Sequence, residues 1–434
     1  MITPKWTALD TDGGLRDTPA DAFAGGIGAF LDRLAPKFGP SGGVILIDYD
    51  AAETLGLPTT GPLPRSGLKD HHAAGDALSA GWQCSGIGDW SKFWGNTRPT
   101  LHIGLTHLFE RSKCPLWTPW PPDTVAAFRN WHELTGTPWH LSSGVSGVDV
   151  LTTIVPAAGK GSPTWRPATG GPDEAAEQEY TPGNWRARIR AEDAPHFAHG
   201  YDANRGYVGA ASSVEVCPWQ LRFTGKRFDR TRAGWWYIQP ATWNDPRLPD
   251  PAGYRDTLDP GAPRWVTTPT LTLLEDLTAQ GLYGGARVLD SKTGPGKRLF
   301  REWSERMRDA YLMTTPGKRE LAVSDAERTL LETAVKEAGR AALGEFDSAT
   351  HWAYRPDWWH AVIAQFRCNL WRRMHRAARE EQRYPLWIDT DNVWYGSDDE
   401  DWEKSAPSAF PIDNTGRKLG HYKHKGTMPL RRRP

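Results

Sequence analysis

The sequence predicts an α+β chain of two or three domains, on three observations. Its 434 residues are 38% hydrophobic and 24% charged, a globular composition long enough for sizeable cores. Helix-period and strand-period segments both occur along it. A Gly-, Pro-, Thr- and Glu-rich stretch over 157–183 separates two parts, as an exposed connector would.

The elements follow in chain order. Thr18 as cap, Pro19 in the first turn and Asp21 completing a capping box predict a first helix. Phe23, Ile27, Phe30, Leu31 and Leu34 give it one apolar face. Pro40–Gly43 stops it, and Val44–Ile47 reads as a buried strand. A second helix is expected from Thr124 to Leu134, with Asp123 as cap and Gly136 as stop. Beyond the connector, Ala233–Ile238 and Arg264–Thr268 read as strands. Arg298–Met313 and Asp325–Leu343 read as helices joined by Thr314–Val323, a helical hairpin. Trp358–Arg379 is a third long helix, with Asp357 as its cap, and Tyr384–Ile388 a short apolar strand.

The stretch Leu386-Trp387-Ile388-Asp389-Thr390-Asp391-Asn392-Val393-Trp394-Tyr395 carries the most chemistry. Its apolar flanks predict two strands of a hairpin with Asp389, Thr390 and Asp391 at the turn. A turn sets both carboxylates at one sheet edge, where a hard divalent cation takes oxygen ligands. An ordinary Asx-turn accounts for the triplet equally well. A second carboxylate, Asp202, stands at the end of a strand-like run with Tyr207 five residues on.

Here the sequence resembles the family B DNA polymerases. That family's first palm motif is an Asp followed by a turn and a Tyr, matched by Asp202 and Tyr207. Its last is a hairpin reading Tyr-Gly-Asp-Thr-Asp-Ser; this chain has Trp387-Ile388-Asp389-Thr390-Asp391-Asn392. Its middle motif is a Lys on a helix with a Gly eight residues later, matched by Lys336 and Gly344. The motifs occur in the family's order, and the likeness covers about 195–428.

The resemblance implies a palm sheet over 195–434 with an inserted helical-hairpin fingers at about 297–345. A degenerate, inactive exonuclease-like α/β domain would precede it over 1–156, with 157–194 as connector. Asp202, Asp389 and Asp391 would hold Mg2+ or Mn2+, and two ions about 3.5–4 Å apart would clamp the attacking and leaving oxygens. Asp202 and Asp391 would bridge both ions, with Asp389 at the rim. Lys336, Arg301, Arg308 and Arg340 would face the incoming deoxynucleoside triphosphate. Tyr207 would lie under its sugar and leave no room for a 2′-hydroxyl. Tyr422, Lys423 and Lys425 match the basic segment that touches primer and template. Taken singly, the Lys and Arg residues fit solvated helix faces as well.

The departures matter. Arg340 stands where the family has Asn, Ala341 where it has Ser, and Leu343 where it has the Tyr beneath the nascent base pair. Little sequence follows the hairpin to build a thumb, so weak grip on duplex and short synthesis are expected. Asp10-Thr-Asp12 and Asp48-Tyr-Asp50 lack the Asp-x-Glu of an exonuclease strand. The compact layout looks similar to the telomere-associated protein group of actinomycete linear replicons, which implies work at DNA ends with a terminal or priming protein. Two alternatives stay open: an inactive DNA-binding scaffold on the same fold, and a terminal or protein nucleotidyltransferase.

Composition limits the rest. Lys plus Arg and Asp plus Glu both number 52, so a basic groove would have to be local. Cys84, Cys114, Cys217 and Cys368 form no C-x-x-C pair, which argues against a zinc finger or redox pair. No apolar run is long enough for a membrane span and no signal pattern opens the chain, so cytoplasmic residence is expected. The 23 Trp are read mainly as core residues, with base stacking the minority role.

Overall fold

The computed structural model describes residues 6–9, 15–18, 23–37, 43–47, 49–65, 68–87, 90–105, 121–140, 142–155, 185–187, 195–253, 259, 261–315, 323–349, 351 and 353–430. The chain divides into two compact units, Met1–Gly147 with Met313–Ala338, and Val148–Leu312 with Gly339–Pro434.

The first unit opens with a hairpin, β1 (Trp6–Leu9) and β2 (Leu15–Thr18). Helix α1 (Gly26–Leu34) follows, not from the Thr18 cap but from Gly25 as N-cap residue, with Gly25 (φ 87°) and the first helical residue Gly26 (φ 75°) both left-handed. Thr18 itself pairs with Trp6, which corrects the expected start; Pro19 and Asp21 lie outside the described residues. The apolar face is as expected: Phe23, Ile27, Phe30 and Leu31 are buried. They pack with β3 (Gly43–Ile47), α2 (Tyr49–Thr54), α3 (His72–Ser79) and the meander β4 (Gln83–Ile87), β5 (Trp90–Gly95), β6 (Arg98–Leu105). The sheet order is β3-β6-β5-β4, with β3 parallel to β6 and the other pairs antiparallel. Helix α4 (Pro121–Thr135) encloses Asp123 instead of starting after it, and ends where Gly136 turns left-handed (φ 77°).

Helix α5 (Ser143–Ile154) leads into the second unit, and β7 (Trp185–Arg186) is the described part of the expected connector. Then come β8 (Phe197–Ala203), α6 (Gly206–Ala211), β9 (Arg222–Phe223), β10 (Arg232–Pro240), β11 (Arg264–Thr267), α7 (Thr268–Ala279) and β12 (Ala286–Pro295). Helices α8 (Arg301–Met313), α9 (Asp325–Glu345) and α10 (Pro356–Glu381) follow, then β13 (Pro385–Asp389), β14 (Asn392–Ser397), α11 (Trp402–Ser405) and β15 (Tyr422–Pro429). Two antiparallel sheets result, ordered β11-β10-β12-β9 and β15-β8-β14-β13-β7.

Asp357 is not a cap. Arg355 is the N-cap residue of α10, and Asp357 is buried in its first turn against the Arg355 guanidinium. Backbone approach is close at two glycines: a Cβ on Gly200 would stand 2.7 Å from the Trp394 ring, and one on Gly206 2.3 Å from the Phe366 ring. Gly200 thus lets β14 carry a Trp across β8, and Gly206 lets α6 lie on α10. Among the described residues, no helix is long and apolar enough to cross a membrane, and Cys84, Cys217 and Cys368 are free, buried thiols.

Candidate active site

Strand β8 is the second strand of its sheet, with β14 on one side and β15 on the other. It is buried on both faces, through Ala198, His199, Gly200 and Tyr201. Its register sets Asp202 opposite Asn392 of β14 and opposite Lys423 of β15. The tip of the β13–β14 hairpin therefore meets the end of β8. The Ala203 N–H donates to the Asp391 carbonyl at 3.4 Å. Asp202 and Asp391, remote in sequence, become neighbours at one sheet edge.

Their electrostatics agree. Burial, then the Asp202 charge, push the Asp391 carboxyl above the usual carboxylate range, while Lys425 and Lys423 pull the other way. Lys423 Nζ stands 2.7 Å from Asp202 Oδ2. The Asn392 amide is buried and donates to Asp391 Oδ1 at 3.1 Å and to the Asp389 carbonyl at 3.2 Å. It orients Asp391 and ties the two ends of the turn, a role the sequence reading did not assign to it. Asp389 itself is exposed at the rim.

Thr390, between the carboxylates, has φ 58°. A β-branched residue is disfavoured in that left-handed region by roughly 1–2 kcal/mol. Thr390→Gly relieves the strain and adds chain entropy to the unfolded state. A net gain of about 0.5–1 kcal/mol is expected, read as a higher urea midpoint at unchanged slope.

Behind the carboxylates the chain turns through Arg205 (φ 47°) into α6. The Arg205 guanidinium lies 3.7 Å from the Tyr311 ring centre and that of Arg417 4.6 Å, so the turn is braced on α8. Tyr207 is half-buried in the first turn of α6, its ring 4.9 Å from Phe366. His199 on β8 is fully buried, held by Thr427 Oγ1 at 2.9 Å and the Asp399 carbonyl at 3.0 Å. Sequence reasoning passed over it, because a lone His in a strand carries no motif.

The other predicted residues are placed as follows. Tyr422 is buried, its ring 4.8 Å from Phe410, and its hydroxyl is pushed up to about 12, chiefly by burial. Lys423 and Lys425 are exposed on the same strand. Arg301 pairs with Glu305 at 3.2 Å and Arg308 with Asp309 at 2.8 Å, both on α8. Lys336 and Arg340 are exposed on α9, where Lys336 belongs to the first unit and pairs with Glu332 at 2.7 Å. Leu343 is fully buried on the same helix.

Among the described residues, no group of three or more His, Cys, Asp or Glu side chains is arranged to hold a metal ion. Mg2+ does not need such a cage: it is commonly held by one or two carboxylates, with substrate phosphates and water completing its shell. Asp202 and Asp391 fit that use, since the charge of one already disfavours ionisation of the other. The Asn392 Oδ1 is buried without a hydrogen-bond partner among the described residues, which leaves one more oxygen beside them.

No family model matches the chain, and no curated protein matches it in sequence. Solved structures of DNA polymerases do match in fold. Phi29 DNA polymerase complexed with primer-template DNA, in the post-translocation binary complex, aligns with a TM-score of 0.50 at 12% identity, covering 80% of this chain and 67% of that chain. Its ternary complex with incoming nucleotide substrates aligns with a TM-score of 0.49 at 13% identity over the same shares. Over the aligned part, the fold is that of phi29 DNA polymerase.

Proposed function

We propose that the chain performs template-directed nucleotidyl transfer of deoxynucleotides, with Asp202 and Asp391 holding Mg2+ or Mn2+. One observation carries this reading: the β8–β14 register brings an acidic strand end and an acidic hairpin tip together on a polymerase fold. The bound metal would supply Lewis acidity and charge neutralisation at the reacting phosphate. The chain's own residues do the rest. Asn392 fixes the Asp391 carboxylate, Asp389 adds negative charge at the rim, and Lys423 balances Asp202 and lies ready for a phosphate. Arg301, Arg308 and Arg340 supply positive charge toward a triphosphate. DNA ends, with a terminal or priming protein as partner, would suit short synthesis.

Tyr207 would select the sugar, because its ring is held by Phe366 and cannot swing away freely. Tyr207→Ala is expected to reduce discrimination between deoxy- and ribonucleotides by roughly tenfold to hundredfold, with Tyr207→Phe close to the parent. Single-nucleotide incorporation of each substrate measures the ratio, and an unchanged ratio in Tyr207→Ala removes Tyr207 from the sugar site.

A second reading has its own support. The 2.7 Å ion pair between Lys423 and Asp202 satisfies that carboxylate without any metal, as in a DNA-binding scaffold that has lost catalysis. Primer extension with Mg2+ or Mn2+ and labelled deoxynucleotides separates the two. Template-dependent extension that needs Asp391 supports polymerisation, binding without extension supports the scaffold, and labelling without template indicates terminal or protein nucleotidyl transfer.

A further inference from the structure

Most described tryptophans are buried, and several others are partly buried. Among the described residues, Trp219 is the Trp exposed beyond a third of its surface, at 49%. Phe223, four residues on, is 64% exposed. Phe223 is on β9, an edge strand of the β11-β10-β12-β9 sheet, and Trp219 just precedes it; the strands beside Asp202 and Asp391 belong to the other sheet.

The two rings stand on rigid backbone. The carbonyl of Trp219 accepts from the Cys217 thiol and from Arg355, both at 3.4 Å, and Arg355 is itself buried. Phe223 pairs with Lys292 of β12, and Thr224 is hydrogen-bonded to Ser291 and Thr293. An apolar ring held open to solvent by a buried ion pair and a sheet ladder is pre-organised for a partner.

The surrounding charge states which partner. The run Trp219–Phe228 holds Arg222, Lys226 and Arg227 and no acidic residue, and all three bases are exposed. Lys297 lies 4.7 Å from the Trp219 ring centre, and Lys292 stands opposite Phe223. The neighbouring acids are engaged: Glu215 faces Arg298 at 3.7 Å, and Asp229 accepts from Thr231. Protein-binding surfaces are poor in Lys at their centres. Aromatic faces interleaved with Lys and Arg are what unpaired bases and their phosphates need. A duplex hides its base faces and could use only the charges.

We propose that the β9 edge, through Trp219 and Phe223 with Arg222, Lys226 and Lys297, binds single-stranded DNA by stacking bases on the two rings. The choice of DNA over RNA rests on the proposed function; the stacking surface does not.

The test uses the full chain and fluorescently labelled (dT)20, (rU)20 and a 20-base-pair duplex, by anisotropy at fixed salt. Trp219→Ala/Phe223→Ala is expected to weaken (dT)20 binding at least tenfold, leaving the duplex within about twofold. Trp219→Phe/Phe223→Tyr should retain most of the affinity, and circular dichroism confirms that both variants fold. In a parallel arm, (dT)20 bearing 5-iododeoxyuridine is photocrosslinked to the parent, and the modified peptide should contain Trp219 or Phe223. Unchanged (dT)20 affinity with crosslinks elsewhere overturns the proposal. So does an equal loss for the duplex, which indicates charge alone, or tighter binding of (rU)20 than of (dT)20. A dimer that the alanine pair converts to monomer in sedimentation identifies the edge as an interface between copies and also overturns it. Because extension by Asp391→Asn is measured separately, failure here and failure of the polymerase reading are distinguishable.

Discussion

Asp391→Asn is expected to abolish the proposed nucleotide incorporation and at the same time to make the protein more stable at neutral pH. The loss is expected to reach about a thousandfold or more, because a neutral amide neither compensates a divalent cation nor keeps it beside Asp202. The stability gain follows from linkage. The folded state raises the Asp391 pKa above its ordinary value, through burial and the Asp202 charge. A carboxyl so raised binds its proton more tightly folded than unfolded. Its favourable contribution is complete in acid, below the unfolded pKa, and is lost as pH rises through the folded pKa. At pH 7 the ionised group is a burden that Asn lacks, and Asn still accepts from Asn392 through its amide oxygen. Melting temperatures of parent and variant should therefore differ in favour of the variant at pH 7 and converge as pH falls toward the ordinary carboxylate pKa. A variant that loses stability in step with activity would indicate a structural role for Asp391 and sink the site. Proteins commonly hold such local instability where function requires it.

Removing the Arg355 guanidinium is expected to cost about 3–5 kcal/mol, a large part of the roughly 5–15 kcal/mol that holds a domain folded. Arg355 and Asp357 form a two-pronged ion pair at 2.9 and 2.7 Å, with both side chains 2% exposed. The same guanidinium donates to the carbonyls of Cys217 at 2.5 Å and Pro218 at 3.4 Å. Arg355→Met leaves the Asp357 anion buried without its cation and the carbonyls without their donor. Arg355→Met/Asp357→Leu removes both charges and should recover much of the loss, so the two changes are strongly non-additive. Urea midpoints of the two single variants and the double variant measure this. Additive losses would mean that the pair contributes no more than two separate packing residues.

Much of the chain after residue 297 was legible because its signals are local. The apolar periodicity of 298–379 and the Asp-Thr-Asp turn between apolar runs correspond to helices α8, α9 and α10 and to the β13–β14 hairpin, with ends shifted by a few residues. Three cap assignments failed, those of Thr18, Asp123 and Asp357, the first and last for one reason. Thr18 and Asp357 are residue types that cap helices, but type does not show what surrounds the residue. Two left-handed glycines decide the start of α1, and a buried Arg decides the fate of Asp357. Asn392 and His199 escaped because their roles lie in strand pairing, which no sequence spacing announces.

By itself the sequence determined the long helices of 298–379, the order of the acidic motifs and the pairing of Asp389 with Asp391 at one bend, since all of these arise from residues within a few positions of each other; it did not determine the helices and strands over 49–105. Only the tertiary structure decided that Asp202 meets Asp391 and Lys423, that Tyr422 points into the core, and that Trp219 is the most exposed of the described tryptophans. The physical reason is that burial and charge proximity belong to strand register, and register is chosen by the whole sheet.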